Sequence, residues 1–240
     1  MRACSLPPLG ARYWAAISAA SVFGANLGDF MSHDLHLGHW HGLLPLSAAF
    51  ALILLVERTT SIVSQAFYWL AVVVVRAAAT NIADLATHDM QFGSLQVICG
   101  LLVLLLLTAS IGAMSARASG LDTNGLYWIS LFLAGAAGTV IGDDVSGHLG
   151  VAGASAVLTT VLAGAFWLRH ADHRSGKASY WTTMLGARSA GTSVGDFIAD
   201  GAGLGLGIPG STAASGILLL GLLALQTPGN LRKIEMLRRR

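Results

Sequence analysis

The chain has 240 residues, 54% hydrophobic and 11% charged, with a formal net charge of +2. A soluble domain carries about 25% charged residues, so the composition excludes an ordinary soluble domain and points to lipid as the surrounding solvent. Two cysteines, Cys4 and Cys99, with no CxxC pairing, supply neither a disulfide framework nor a thiolate metal site.

In chain order, a short N-terminal segment, Met1 to Arg12, holds two prolines and lacks the apolar core of a cleaved leader. Eight apolar stretches follow, at 13–34, 41–56, 67–88, 93–114, 126–144, 150–168, 179–200 and 210–226. A membrane-crossing helix needs about 20 mostly apolar residues, or roughly 17–25 with tilt. The eight stretches use nearly all of residues 1–240, so the expected fold is an all-α integral membrane protein with a single transmembrane domain and eight helices. Gly203, Gly205 and Gly207 follow no strand, which argues against a dinucleotide fingerprint and for a tight turn before the last helix. A basic tail, 227–240, ends the chain.

Lys and Arg are placed on one side of this scheme. Arg2, Arg12, Arg58, Arg117, Arg169, Arg174, Lys177 and the five basic residues of the tail all flank the same ends of the stretches, and the four opposite loops hold none. The positive-inside rule then puts both termini in the cytoplasm. The basic tail reads as a topology signal and a contact for anionic lipid; a single short basic segment makes a poor footprint for nucleic acid, which is not expected as a partner.

The chain also repeats. Tyr13-Trp14, Tyr68-Trp69, Tyr127-Trp128 and Tyr180-Trp181 open alternate stretches, and fifteen residues after each Trp stands an aspartate: Asp29, Asp84, Asp143 and Asp196. Small residues stand five and one positions before each acid: Gly24 and Gly28, Ala79 and Ala83, Gly138 and Gly142, Gly191 and Gly195. Such seams let helix backbones approach closely in lipid. Four repeats, 13–58, 67–115, 126–170 and 179–226, of two helices each, enter the membrane in the same sense, so the simplest expectation is a pseudo-four-fold bundle. The aspartate-bearing helices are expected inside, the smoother Leu-rich ones outside, and the Tyr-Trp pairs in an aromatic belt at the cytoplasmic interface. Fifteen residues of helix at about 1.5 Å each carry every aspartate about 22 Å inward, toward the outer side of the bilayer.

This four-fold YW…GxxxGD unit resembles uncharacterised bacterial inner-membrane proteins known as membrane-anchored proteins, which carry four tandem copies of a repeat of unknown function with a prominent tryptophan. The resemblance runs from Tyr13 to about Leu225 and is most typical at Tyr180 to Asp196; the second copy departs from it with Ala79 and Ala83. It implies topology, repeat number and a bacterial plasma-membrane location, and no activity.

Function must therefore come from the ionisable groups. Each acid or guanidinium at a helix centre in lipid costs about 2.5–3.5 kcal/mol unless it pairs, binds an ion or meets water. Arg76 and Arg188 stand eight residues before their aspartates in copies 2 and 4, where copies 1 and 3 hold Ser21 and Gly135. Two cations do not neutralise four carboxylates, so a further cation or protons are expected. In copies 1 and 2 the pattern is Asp-x3-His-Asp (Asp29, His33, Asp34; Asp84, His88, Asp89), which sets acid and imidazole one turn apart on one helix face. Copy 4 has Asp200 at the histidine position. His39, His41, His170 and His173 read as solvated side chains. Carboxylate with imidazole suits Mn, Fe, Co, Ni or Zn.

The expectation is a carrier for a divalent metal cation, with Asp29, Asp84, Asp143 and Asp196 as ligands. His33 and His88 would form an outer capture site, with Thr80, Thr139, Thr192 and Asn81 as secondary donors. Arg76 and Arg188 would act as barriers or exchange partners. A cation or proton channel built on an aspartate ring, and a non-transporting scaffold or sensor subunit, are the alternatives. The lipid bilayer and a small cation are the expected partners, with a homo-oligomer as a further candidate. No HExxH or phosphate-binding loop speaks for an enzyme, and the divalent ion is the only cofactor candidate.

Overall fold

A computed structural model describes residues 6–59, 65–115, 123–171 and 176–226. Arg2, Cys4, Arg117, His173, Arg174 and the tail 227–240 lie outside the described residues. Among the described residues there is no strand. The elements are helices α1 (Ala11–Asp29), α2 (Gly38–Thr59), α3 (Gln65–Asp84), α4 (Ser94–Ser115), α5 (Gly125–Ala171), α6 (Lys177–Ala199) and α7 (Gly207–Gln226), with π-helical turns at Phe30–Asp34 and Leu85–Asp89 that continue α1 and α3.

Five of these segments are long and apolar enough to cross a membrane: Gly38–Thr59, Gln65–Asp89, Ser94–Met114, Gly125–Arg169 and Gly207–Leu225. Helices α1 and α6 fall short of that apolarity, against the expectation of eight apolar spans. Their small and polar residues, such as Ser21 and Asn26 in α1 or Arg188 and Thr192 in α6, are buried inside the protein and need not suit lipid. Helix α5 corrects the expectation again. It runs through both 126–144 and 150–168 without a loop, and its only non-helical residue is Gly150, at φ 71° and ψ 163°. That region is essentially restricted to glycine, and here one residue does the work of a connection. Phe166, late in α5, meets the Trp14 ring at 5.8 Å, while Tyr127, at its start, bonds Tyr68 and Tyr180. The second arm of α5 therefore returns to the end of the bundle where the first begins, and it lies on α6, where Ser155 donates to the Ser193 carbonyl at 2.6 Å.

Helices α1, α3, the first arm of α5, and α6 form an inner ring, each packed on the next, with α6 closing back on α1. The remaining helices pack forward by one copy: α2 lies on α3, α4 on α5, and α7 crosses the whole chain to lie on α1. Asn26 of α1 donates to the Ser211 hydroxyl of α7 at 2.5 Å, and Thr212 donates to the Asn26 carbonyl at 3.1 Å. Leu52 and Leu55 of α2, Leu106 and Leu107 of α4, and Ile217 and Leu220 of α7 are exposed. A continuous apolar surface of this kind marks a lipid or protein contact.

The seams of the inner ring explain the glycines. A Cβ on Gly24 would stand 2.6 Å from the Arg76 Cβ; on Gly138, 2.5 Å from the Arg188 Cβ; and on Gly191, 2.5 Å from the Ser21 Cβ. In each case the residue five before the aspartate packs on the residue eight before the aspartate of the next copy. The second copy inverts the sizes: Ala79 faces Gly135, whose own Cβ would come within 2.8 Å of the Ala79 Cβ. The alanine that departs from the repeat is accommodated because its partner is the glycine.

Candidate functional site

One end of the inner ring is closed by aromatic residues. Tyr13, Tyr68, Tyr127 and Tyr180 turn their hydroxyls to a common centre and bond in a closed cycle: 13 to 68 at 2.8 Å, 68 to 127 at 2.7 Å, 127 to 180 at 2.9 Å and 180 to 13 at 2.6 Å. Each hydroxyl has one proton to donate and lone pairs to accept with, so four hydroxyls satisfy one another with none left over. Around them, each tyrosine meets its own tryptophan edge-on at 5.1–5.3 Å. Each also meets the tryptophan of the next copy: Tyr13 with Trp69, Tyr68 with Trp128, Tyr127 with Trp181 and Tyr180 with Trp14, at 5.5–5.9 Å. The expectation of an interfacial belt is corrected by this arrangement. These rings are buried on the inward faces of the inner helices; the tyrosine hydroxyls complete their hydrogen bonds among themselves, while Trp14 Nε1 is buried without a hydrogen-bond partner.

Further along lie the two guanidinium groups, both fully buried. Arg76 Nη1 donates to Thr80 Oγ1 at 2.9 Å, Thr139 Oγ1 at 2.7 Å and the Gly135 carbonyl at 3.3 Å, and its Nη2 donates to Thr192 Oγ1 at 2.6 Å. It therefore sits centrally, tied to α3, α5 and α6; the fourth equivalent position is Ala25 and offers no hydroxyl. Arg188 Nη1 donates to Ser21 Oγ at 3.2 Å, while its Nε and Nη2 are buried without a partner. Among the described residues, neither arginine forms an ion pair with an aspartate.

Above the threonines opens a cavity of about 470 Å³, lined by Asp29, Asp84, Asp143 and Asp196 with Thr80, Thr139, Thr192, Ser146, His33, His39 and His88. The four repeat aspartates are brought to one chamber, as the equal spacing predicts. Arg76, through its bonds to the three threonines, forms the floor. Two residues expected here lie elsewhere. Asn81 sits against Gly28 of α1 and Gly42 of α2, whose missing side chains give it room, and its amide atoms have no partner. Asp200 is exposed at the end of α6, where its Oδ1 accepts from the Ala202 amide at 2.7 Å and shapes the turn 201–204. The glycines that follow do make the expected turn, with Gly205 and Gly207 at φ 68° and 69°.

The histidines gain a member. His39, expected to be a solvated side chain, lines the chamber; its Nδ1 donates to both Asp89 oxygens at 3.0–3.1 Å. Its ring stands 5.4 Å from that of His33 and 6.5 Å from that of His88. No sequence signal singles it out, because it stands in the first turn of α2 and has no counterpart in the other copies. Among the described residues, no three His, Cys, Asp or Glu side chains stand close enough, as placed, to grip a metal ion. The chamber is a wide acidic vestibule with imidazoles at its edge, and not a closed chelate.

Two segments, residues 12–61 and 179–227, match the family model described as Repeat of Unknown Function (DUF347). They coincide with the first and fourth of the expected repeats. No curated protein and no solved structure matches the chain.

Proposed function

We propose that this chain is a membrane carrier for a small cation, a divalent metal ion being the first candidate, built as four two-helix repeats around a pseudo-four-fold axis. On this reading the chain crosses a bacterial plasma membrane eight times, with α5 counted twice across Gly150 and both termini cytoplasmic. The tyrosine cycle then lies at the cytoplasmic side and the vestibule opens outward. The equivalent hydrogen bonds of Tyr13, Tyr68, Tyr127 and Tyr180, and the equivalent seams between successive copies, support the symmetry.

One observation carries the functional reading: four carboxylates line a single chamber whose inner side is blocked by a guanidinium bonded to three threonines and then by a closed cycle of tyrosines. Carboxylates without paired cations attract a cation, and those in a wide chamber suit an ion that keeps part of its water. A site reached from one side is what a carrier presents in one of its states, and two barriers across the axis, Arg76 and the cycle of four tyrosines, weigh against an open channel. Movement of the ion inward requires Arg76 to leave the threonines, and a carboxylate is the natural group to receive it. Protons exchanging with metal on the same carboxylates would couple the two fluxes.

The test is calorimetric titration of the purified protein with Mn²⁺, Zn²⁺, Co²⁺, Ni²⁺ and Mg²⁺, alongside a variant with all four repeat aspartates changed to Asn, followed by uptake into proteoliposomes. Uptake that is present in the wild type and absent in the variant supports the carrier. Binding without uptake supports a second reading, a cation sensor, which the doubly blocked axis favours. A folded wild type that binds none of these ions removes both.

A further inference from the structure

The vestibule is not symmetric at its mouth. Only copies 1 and 2 continue their aspartate-bearing helices into a π-helical turn, and those turns, Phe30–Asp34 and Leu85–Asp89, carry His33 and His88. Single π turns inside helices are often found at functional sites, because the extra residue re-aims a side chain. Between the two turns stands His39, packed between the rings of His33 and His88.

The inner nitrogens of all three rings are engaged. His33 Nδ1 lies 3.2 Å from the Asp29 carbonyl and 3.0 Å from Ser32 Oγ, whose own proton goes to that same carbonyl at 3.2 Å, so Nδ1 is the donor in this set. His39 Nδ1 donates to the Asp89 carboxylate in the same way. His88 Nδ1 faces Thr87 Oγ1 at 3.2 Å and Asp84 Oδ1 at 3.9 Å. Occupied Nδ1 atoms leave the Nε2 lone pairs for a ligand, and a carboxylate or carbonyl behind the imidazole is the usual second layer of a metal site. From a metal–nitrogen distance of about 2.0–2.1 Å, two imidazoles bound to one tetrahedral ion place their ring centres about 5 Å apart. The His33–His39 pair is already near that separation, and the His39–His88 pair stands little more than an ångström beyond it. His33 and His88 are exposed and free to turn.

We infer that His33, His39 and His88 are the three protein ligands of a transition-metal site at the mouth of the vestibule, taking Zn²⁺, Co²⁺ or Ni²⁺ and rejecting Mg²⁺ and Ca²⁺. Imidazole suits the former ions and oxygen donors the latter. A fourth position faces the chamber and stays open to water. The inference shares the outward-facing vestibule with the carrier reading and does not need transport.

The test uses the full-length protein in detergent, with Zn²⁺ affinity measured by competition against a chelating dye and ligation read from the visible spectrum of bound Co²⁺. His33→Gln, His39→Gln and His88→Gln should each weaken Zn²⁺ by tenfold or more and alter the Co²⁺ spectrum. Asp89→Asn, behind His39, should weaken it by roughly 10–100-fold. His148→Gln, which lies off the chamber, should change neither, and the variant with four aspartates changed to Asn should keep the nitrogen-ligated spectrum. Zn²⁺ binding that survives all three histidine substitutions, or that is lost with the aspartates alone, overturns the site. Because His33 and His88 are exposed, their substitution does not disturb packing. Absent uptake with this binding intact counts against the carrier and leaves the site standing.

Discussion

Removing one hydroxyl from the tyrosine cycle should cost more, per site, than removing all four. In Tyr13→Phe the bonds to Tyr68 at 2.8 Å and Tyr180 at 2.6 Å are both lost, and the cycle becomes an open chain. One neighbour then holds a buried donor without an acceptor and the other an acceptor without a donor. A buried polar group left unsatisfied costs about 1–3 kcal/mol, whereas replacing both partners by apolar groups of the same shape is close to neutral. The single variant is therefore expected to lose about 1–3 kcal/mol of stability. The quadruple Phe variant breaks all four bonds and orphans nothing, and the four rings keep their edge-on contacts with the tryptophans. Its loss should be similar to or below that of the single variant. Reversible unfolding in mixed micelles, followed by tryptophan emission, gives both numbers. A quadruple variant that loses about four times as much as the single one would show that the hydroxyls act independently and that the closed cycle has no energetic meaning.

Other substitutions probe the seams and the buried charge. Gly138→Ala brings a Cβ to 2.5 Å from the Arg188 Cβ, and the overpacking should cost about 1–3 kcal/mol in the same unfolding assay. Gly100→Ala in α4, with nothing within 4 Å of its added Cβ, should instead stabilise by about 0.5–1 kcal/mol. Gly150→Ala forces a side chain into a backbone region reserved for glycine and should cost about 1–3 kcal/mol, read as a lowered melting temperature. Arg188→Met removes a buried guanidinium whose Nε and Nη2 have no partner, and should leave thermal stability unchanged or raised, since an apolar group of similar volume often replaces a buried charge without loss. A marked fall in melting temperature would mean that Arg188 has a counter-charge.

The spacing of Tyr, Trp and Asp was enough to foresee an all-helical bundle whose aspartates share one chamber, because a fixed helical rise converts equal sequence distance into equal depth. The roles of the same residues were harder to read. Tyrosine beside tryptophan signals an interface in general, and only the three-dimensional closure of four hydroxyls shows that these rings face inward. Asp200 follows the repeat in register but falls past the end of α6, where register no longer fixes direction. Asn81 lies one residue beyond Thr80 and so points to a neighbouring helix and not to the chamber. His39 has no equivalent in the other three copies, and its place at the start of α2 depends on how the α1–α2 connection folds back. The forward packing of the outer helices was not legible, since α4 is Leu-rich on most sides and the small polar face of α7, Ser211, Thr212 and Ser215, does not by itself name Asn26 of α1 as its partner.

The docking of α7 on α1 has a consequence for biosynthesis. Asn26 and its Ser211 partner are 185 residues apart, so at roughly 5–20 residues per second the first helix waits on the order of 10–40 s for the last one to emerge. In a chain inserted as proposed, α1, too polar to be comfortable alone in lipid, must throughout that interval be sheltered at the insertion machinery or held by α3. The ribosome therefore completes this protein before the membrane can, and a chain truncated ahead of α7 should be a substrate for quality control, with its first helix as the exposed mark.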